Sequence, residues 1–92
     1  MQQRKRRPGH SYSVYVGLYA SEEVKSLIER REEDFTQPDH FAAQTFYSGH
    51  SQALAERAFS RACLVAMNNP LAFEVVMQRD NQTIIIVEAK RP

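Results

Sequence analysis

The side chains that could take part in metal chemistry are few and widely spaced in this sequence. The three histidines, His10, His40 and His50, do not form a pair at any common metal-binding spacing. Histidine ligands on one helix recur at short intervals, as in H-x-x-x-H, so a site here would need three distant segments to converge. We therefore expect exposed loop histidines and no metal site.

The segment Gly49–Ala53 resembles the beginning of a nucleophile elbow, in which a serine stands on a sharp turn between a strand and a helix. The full motif has a glycine two residues after the serine, where this sequence has Ala53. A hydrolase of that class also uses a histidine later in the chain, and none follows His50. Ser51 is therefore predicted to cap a helix, with Ser48 as the alternative cap.

The carboxylates and the single thiol have simpler explanations than catalysis. Glu22 and Glu23 follow a serine at a predicted helix start, and residues 32–34 lie on an outward helix face, where solvent keeps carboxylate pKa values close to normal. Cys63 lies beside an alanine stripe in a predicted helix, so we expect an unreactive core thiol. The sequence predicts a non-enzymatic protein with no catalytic residues, no metal, no cofactor and no small-molecule substrate.

The cationic residues are unevenly distributed. Residues 1–10 hold four positive charges and no negative one, whereas the rest of the chain holds eight Lys or Arg against eleven Asp or Glu. Neighbouring cations repel one another and gain nothing in folding, but they suit phosphates, where each contact releases a counterion. The alternative is that they only improve solubility. We predict a flexible basic arm at 1–10 and a single α+β domain at 11–92.

The composition is that of an ordinary globular protein. Of the 92 residues, 42% are hydrophobic and 25% are charged, and a single cysteine excludes an internal disulfide. Small secreted domains normally rely on disulfides, so an intracellular location is favoured. No apolar stretch is long enough for a membrane span, and the basic N-terminus is not followed by the apolar segment of a signal peptide. We expect a cytoplasmic protein.

Four segments have the pattern of β-strands. Residues 11–19 alternate between two sets of side chains and are rich in valine and tyrosine, which is typical of a strand. The turn residues Asp80 and Asn81 stand between two further apolar segments and predict a hairpin. The predicted strands are 11–19, 41–47, 72–78 and 83–90.

Two segments have the pattern of helices. Ser21 precedes two glutamates and an apolar stripe, which predicts a capped amphipathic helix that runs to about residue 34. The second helix follows Ser51, runs to about Met67 and carries a stripe of alanines that would let it lie close to a sheet. The order is therefore β-α-β-α-β-β.

These patterns predict a two-layer α+β sandwich, with two helices on one face of a four-stranded, mainly antiparallel sheet. If the helices cover the side of Val14 and Val16, the opposite face of the sheet is open. An open aromatic face could stack bases, meet a protein partner or be covered by a second copy of the chain. A reversed register would exchange the two faces. The predicted open face contains Tyr15, Tyr19, Phe46, Val76 and part of residues 84–87.

The segment Gln44–Ser48, followed by a helix rich in Ala and Arg and by a strand pair, resembles part of the compact α/β anti-CRISPR proteins directed at type I-F surveillance complexes. The shared pattern is a strand that leads into a helix with recurring alanines, here Ser51–Ala58 and on to Ala62, and a β-hairpin that ends at Lys90 and Arg91. The resemblance covers residues 44–91 and contains no motif that assigns roles to single residues.

This resemblance implies a phage-encoded inhibitor that works in the host cell cytoplasm. Such a protein binds the Cas proteins of a surveillance complex, with the guide RNA as a further candidate contact, and sterically blocks recognition of target DNA. The candidate contact residues come from the basic arm, the predicted open face and the end of the first helix. They are Arg4, Lys5, Arg6, Arg7, Tyr15, Tyr19, Arg30, Arg31 and Phe46.

Two other functions remain open at this stage. A small nucleic-acid-binding or regulatory module would bind naked RNA or DNA through the arm. A homodimeric accessory protein would cover its open sheet face with a second copy.

Overall fold

A computed structural model describes residues 9–30 and 38–89, and all structural statements refer to these residues. The four strands form one antiparallel sheet in the order β2-β1-β3-β4. The predicted α+β fold and its element order are confirmed. The elements are β1 (Tyr12–Tyr19), α1 (Glu22–Glu29), a 3-10 turn (Pro38–His40), β2 (Phe41–Gly49), α2 (Gln52–Met67), β3 (Ala72–Arg79) and β4 (Gln82–Glu88).

The buried core lies between the two central strands, β1 and β3, and helix α2. Val14 and Val16 of β1 point to α2 and are 0% exposed. Their partners on β3, Met77 and Val75, lie on the same face and are buried as well. Branched side chains directly opposite each other on neighbouring strands pack well on a pleated surface. The alternation of β1 therefore determines which face of the sheet becomes the core.

Helix α2 covers this face, and all of its fully buried residues are small. Its methyl groups recur every three or four residues, which allows the helix to approach the sheet closely. The Ser51 Oγ accepts a hydrogen bond from the Leu54 N–H at 3.1 Å, so Ser51 caps the helix as predicted. The buried residues of α2 are Ala55, Ala58, Ala62 and Ala66.

Helix α1 packs less closely than α2. None of its residues is buried, although its apolar stripe of Val24, Leu27 and Ile28 is partly covered. The Ser21 Oγ accepts from the Val24 N–H at 3.1 Å, which confirms the predicted cap. The Lys25 Nζ donates a hydrogen bond of 2.7 Å to the Pro70 carbonyl oxygen, in the loop between α2 and β3. This bond ties α1 to the end of the sheet.

The described part of α1 ends at Glu29, and Arg30 is its C-cap. The predicted continuation to residue 34 lies outside the described residues. Within those residues, no helix combines the length and the apolar character that a membrane crossing requires.

The hairpin between β3 and β4 closes through Asp80 and Asn81, whose φ angles are 53° and 66°. Two left-handed residues in a two-residue loop are the signature of a type I′ turn, and Asp and Asn tolerate this conformation. The Asp80 carboxylate also accepts from the Ser11 N–H at 2.9 Å and lies 2.6 Å from the His10 Nδ1. The predicted hairpin is confirmed, and it also holds the residues that lead into β1.

Three β-bulges change the alternation of side chains between the faces of the sheet, and one of them is at Ile84 in β4. β2 has one extra residue, Phe46, opposite the step from Val14 to Tyr15. β3 has one extra residue, Phe73, opposite the step from Gly17 to Leu18. Because a bulge places two residues opposite one, each shifts the phase of the strand beyond it.

Candidate partner-binding face

The open face, opposite α2, carries an aromatic cluster at one end of the sheet, formed by Tyr19, Phe41 and Phe73. The ring centres of Tyr19 and Phe73 are 4.9 Å apart, and the centres of Phe41 and Phe73 are 5.5 Å apart. The centres of Tyr19 and Phe41 are 6.1 Å apart. Tilted and edge-on pairs at these separations stabilise one another by about 0.5–1.5 kcal/mol each. The three rings, each only partly buried, form a surface that exists before any partner binds.

Gly17 allows the aromatic cluster to lie close to the backbone of β1. A Cβ atom at this position would lie 2.9 Å from the Cγ of Glu74 and 3.0 Å from the Cζ of Phe73. Any side chain at residue 17 would therefore displace its neighbours. Gly17 forms the floor of a shallow depression of about 510 Å³, whose walls include Tyr15, Phe41, Phe73 and Glu74.

Carboxylates surround the aromatic cluster. Glu74 of β3 stands directly opposite Glu88 of β4. Burial, followed by the charge of Glu88, raises the pKa of Glu74. Like charges opposite each other on neighbouring strands destabilise a sheet. A cation that approached Glu74 would favour its charged form.

Both tyrosines of the open face lie close to a carboxylate. Burial and the charge of Glu74 raise the pKa of Tyr15. Burial and the charge of Glu29, at the end of α1, raise the pKa of Tyr19. The open face therefore combines uncharged phenol and phenyl rings with negative charge on two sides.

Two of the aromatic residues predicted for the open face are on it. Tyr15 pairs with Val76 and Tyr19 belongs to the aromatic cluster, and both lie away from α2. Their role in binding remains a prediction. Val76 is on the same face but only 1% exposed, so neighbouring atoms cover it and it is not a candidate contact.

The placement of Phe46 on the open face is wrong. Phe46 packs against the buried core on the side of α2. It is the extra residue of the β2 bulge, and its neighbour Tyr47 is paired with Val14, which points to the core. Phe41, which pairs with Tyr19, occupies the open face instead. The bulge lets both Phe46 and Tyr47 contact the core.

The predicted basic contacts lie elsewhere or outside the described residues. Arg30 is exposed at the end of α1. Arg4, Lys5, Arg6, Arg7 and Arg31 are not among the described residues, and their role stays a prediction.

The basic arm joins the domain far from the aromatic cluster. His10, bound to Asp80, precedes β1, whereas Tyr19 is the last residue of that strand. An eight-residue strand is about 26 Å long at about 3.3 Å per residue. The root of the arm and the acidic, aromatic end of the open face are therefore separate sites.

The Ser51 hydroxyl and the His10 ring make structural contacts here. The described residues contain no group of three or more His, Cys, Asp or Glu side chains that could hold a metal ion. Two histidines approach each other, with the His50 Nδ1 3.3 Å from the His10 carbonyl oxygen. The φ of Ser51 is −97°, an unstrained extended conformation, so its hydroxyl caps α2 without a sharp elbow. Burial raises the pKa of the Cys63 thiol, which favours the unreactive protonated form.

No protein-family model, curated protein or solved structure matches this chain. The geometry and charge of the open face are the remaining observations that bear on function. Sequence reasoning missed Phe41, Phe73, Glu74 and Glu88 as candidate contacts. The hairpin turn sets the approximate register of β3 against β4 and so the approximate position of Glu74. The bulges that bring these four residues to one face have no clear sequence signature.

Proposed function

We propose that this protein is a non-enzymatic binding module that docks on a basic surface of a protein partner through the open face of its sheet. The observation that carries the proposal is the pairing of Glu74 with Glu88 beside the aromatic cluster. The partly buried Glu74 carboxylate has a raised pKa, and a cation from a partner would favour its charged form.

Arginine and lysine side chains fit this surface best. A guanidinium over an exposed aromatic ring gains about 0.5–1 kcal/mol, and a carboxylate beside the ring adds charge-assisted hydrogen bonds. Tyr19 and Phe73 would provide the rings and Glu74 the carboxylate. Because the depression above Gly17 is shallow and open, it suits a side chain of a folded partner rather than a small-molecule substrate.

The same charges argue against base stacking on the open face. A nucleic acid brings a phosphate with every base, and the repulsion from Glu74 and Glu88 would oppose its approach. A partner that itself binds nucleic acid is a better match, because its lysines and arginines face outward in a groove. Occupying that groove would exclude the nucleic acid without any chemical step.

A steric inhibitor of a Cas protein–guide RNA surveillance complex is the narrowest form of this proposal, and the sequence resemblance supports it. The subunits of such a complex must present basic grooves to hold RNA and target DNA. The open face would take the basic side chains of one subunit, while the arm, about one strand length away, would be able to reach exposed phosphates.

The direct experiment is a pull-down with a purified type I-F complex, with and without its guide RNA. We expect the wild-type chain to be retained and the double variant E74Q/E88Q to be retained much less. The matched control is Glu56→Gln, which removes one exposed carboxylate from the outer face of α2 and should change nothing. No retention of the wild-type chain in either form contradicts the Cas hypothesis.

A second candidate is a module that binds naked nucleic acid through the arm, while the acidic open face of the domain points away from the nucleic acid. The position of His10 supports it, because this residue lies at the end of the sheet opposite to the acidic pair. If the four arm cations contact phosphates, the slope of log K against log salt should be about −3. A chain that lacks residues 1–8 should lose this binding, and equal binding without the arm contradicts this candidate.

A further inference from the structure

We propose that the chain forms a homodimer through the free edge of β4, which would join two four-stranded sheets into one continuous sheet of eight strands. Within the residues that the structure describes, β4 lies at the end of the sheet order and pairs with β3 on one side only. All seven of its residues are exposed. Four of them are large and apolar: Ile84 is 43% exposed, Ile85 40%, Ile86 54% and Val87 42%.

The regular part of β4, residues 85–87, lacks the features that normally prevent pairing with another strand. Edge strands are commonly protected by lysine, by proline, by charges or by β-bulges. The bulge at Ile84 and the charge of Glu88 lie on either side of this regular part. The opposite edge, β2, instead exposes small and polar side chains, such as Ala43, Gln44 and Thr45. The two edges of the sheet therefore differ in their capacity to associate.

The hydrogen-bonding pattern shows which main-chain groups of β4 are free to pair. The Ala89 N–H donates to the Phe73 carbonyl at 3.0 Å. In an antiparallel ladder, every second residue faces the same neighbour, so Val87 and Ile85 also bond to β3. Ile86 lies between them and directs its N–H and C=O groups to the outside. A bulge at Ile84 limits the regular part of the strand to the residues after it.

A two-fold antiparallel pairing centred on Ile86 is self-complementary. It places Ile86 opposite Ile86 of the second copy on the open face, and Ile85 opposite Val87 of the second copy on the α2 face. Every regular position from 85 to 87 therefore pairs an apolar side chain with an apolar side chain. A second copy of the same strand is therefore sufficient to complete the pairing.

The charge pattern favours the antiparallel arrangement of two copies. Glu88 stands opposite Ile84 of the second copy in this register, so the two Glu88 residues are four residues apart, or about 13 Å. That distance exceeds the screening length of about 8 Å at physiological salt. A dimer through the open faces would bring together both Glu74–Glu88 pairs.

The α2 side of the seam offers further apolar surface. A cavity of about 170 Å³ lies between α2 and β4, lined by Cys63, Met67 and Val87 among others. Met67 is 70% exposed at its rim. A two-fold axis perpendicular to the sheet keeps both α2 helices on the same face. Met67 of each copy would then flank the joined Ile85 and Val87 side chains and extend the contact beyond the strand.

Sedimentation velocity of the full chain over a range of concentrations tests the dimer. We expect a concentration-dependent dimer for the wild-type chain and a monomer for Ile86→Lys, which places a charge at the two-fold axis. Ile86→Pro should have the same effect, because it removes an outward N–H without removing a bond to β3. Thr45→Lys, on the other edge, and Tyr15→Glu, on the open face, should leave the dimer intact.

A wild-type chain that stays monomeric overturns the proposal, and so does a dimer that persists in both Ile86 variants. Should these variants not fold, amide hydrogen exchange of the wild-type chain gives the answer. Protection of the Ile86 N–H should increase with protein concentration, whereas that of residues in β2 should not. Protection that is independent of concentration overturns the proposal. Because the Ile86 variants retain the aromatic cluster and Glu74, loss of the dimer and loss of partner binding are read separately.

Discussion

The two faces of this sheet are made by the same strands, yet they differ in burial and in charge. The covered face is uncharged and dry, with Val14, Val16 and Val75 at most 1% exposed beneath the alanines of α2. The open face carries aromatic rings that are only partly buried and two opposed carboxylates, of which Glu74 has a pKa raised by burial and by the charge of Glu88. The comparison separates the residues that stabilise the fold from those that form the candidate binding surface.

The largest expected effect is on the covered face. Met77 is 2% exposed and packs in the core, so Met77→Ala should leave a cavity and lower the free energy of unfolding by about 2–5 kcal/mol. Urea denaturation measures it. Ile86→Ala, at an exposed position of the neighbouring strand, is the matched control and should have a much smaller effect in the monomer. Equal losses would show that the two faces do not differ as described.

Gly17→Ala should have an intermediate effect on stability and a large one on the shape of the open face. The new methyl group would press on Phe73 and Glu74, and overpacking of this kind costs about 1–3 kcal/mol. Urea denaturation would give the stability change, and aromatic NMR shifts of Tyr19 and Phe73 would report the displacement. Gly9→Ala is the control, because no atom lies within 4 Å of the added Cβ. Unchanged aromatic shifts in the Gly17 variant would contradict the close packing on this glycine.

The smallest expected effect is a gain in stability from Glu74→Gln. The folded-state pKa of Glu74 is raised, so the protonated form is favoured by folding. The contribution of Glu74 to stability should therefore be greatest below the unfolded pKa, about 4.3, and fall as the pH rises through the folded value. The variant should melt at a higher temperature than wild type near pH 7, and the difference should disappear near pH 4.

Thermal unfolding followed by circular dichroism at several pH values measures this difference. Glu56→Gln, at an exposed position on α2, is the control for the loss of one charge. A variant less stable than wild type at neutral pH would mean that Glu74 already has a stabilising partner within the chain.

The elements could be predicted from the sequence because they follow from local patterns. Ser21 and Ser51 stand at helix starts, and both accept the capping hydrogen bond. The period of two along 12–19 correctly separated Val14 and Val16 from Tyr15. Asp80 and Asn81 have the residue types that a left-handed turn requires, and they adopt it.

The composition of the candidate site could not be predicted, because it depends on where the ladders bulge. Counting back from the two-residue turn in a regular hairpin would place Glu74 opposite Val87. The bulge at Ile84 shifts the register by one residue and brings Glu88 opposite Glu74. A similar shift at Phe73 turns its ring to the open face, and the β2 bulge gives Phe46 to the core. Bulges depend on packing between strands, which no single strand sequence reports.

The central claim, that the open face accepts cations from a protein partner, is tested most directly by NMR titration of the chain with two probes. An arginine-rich peptide should perturb the amides around Tyr19, Phe41, Phe73 and Glu74, and the E74Q/E88Q variant should bind it more weakly. A single-stranded RNA of similar length should leave these amides unchanged and affect only the basic arm. A peptide that causes no shifts on the open face, or an RNA that shifts the aromatic cluster, would contradict the account.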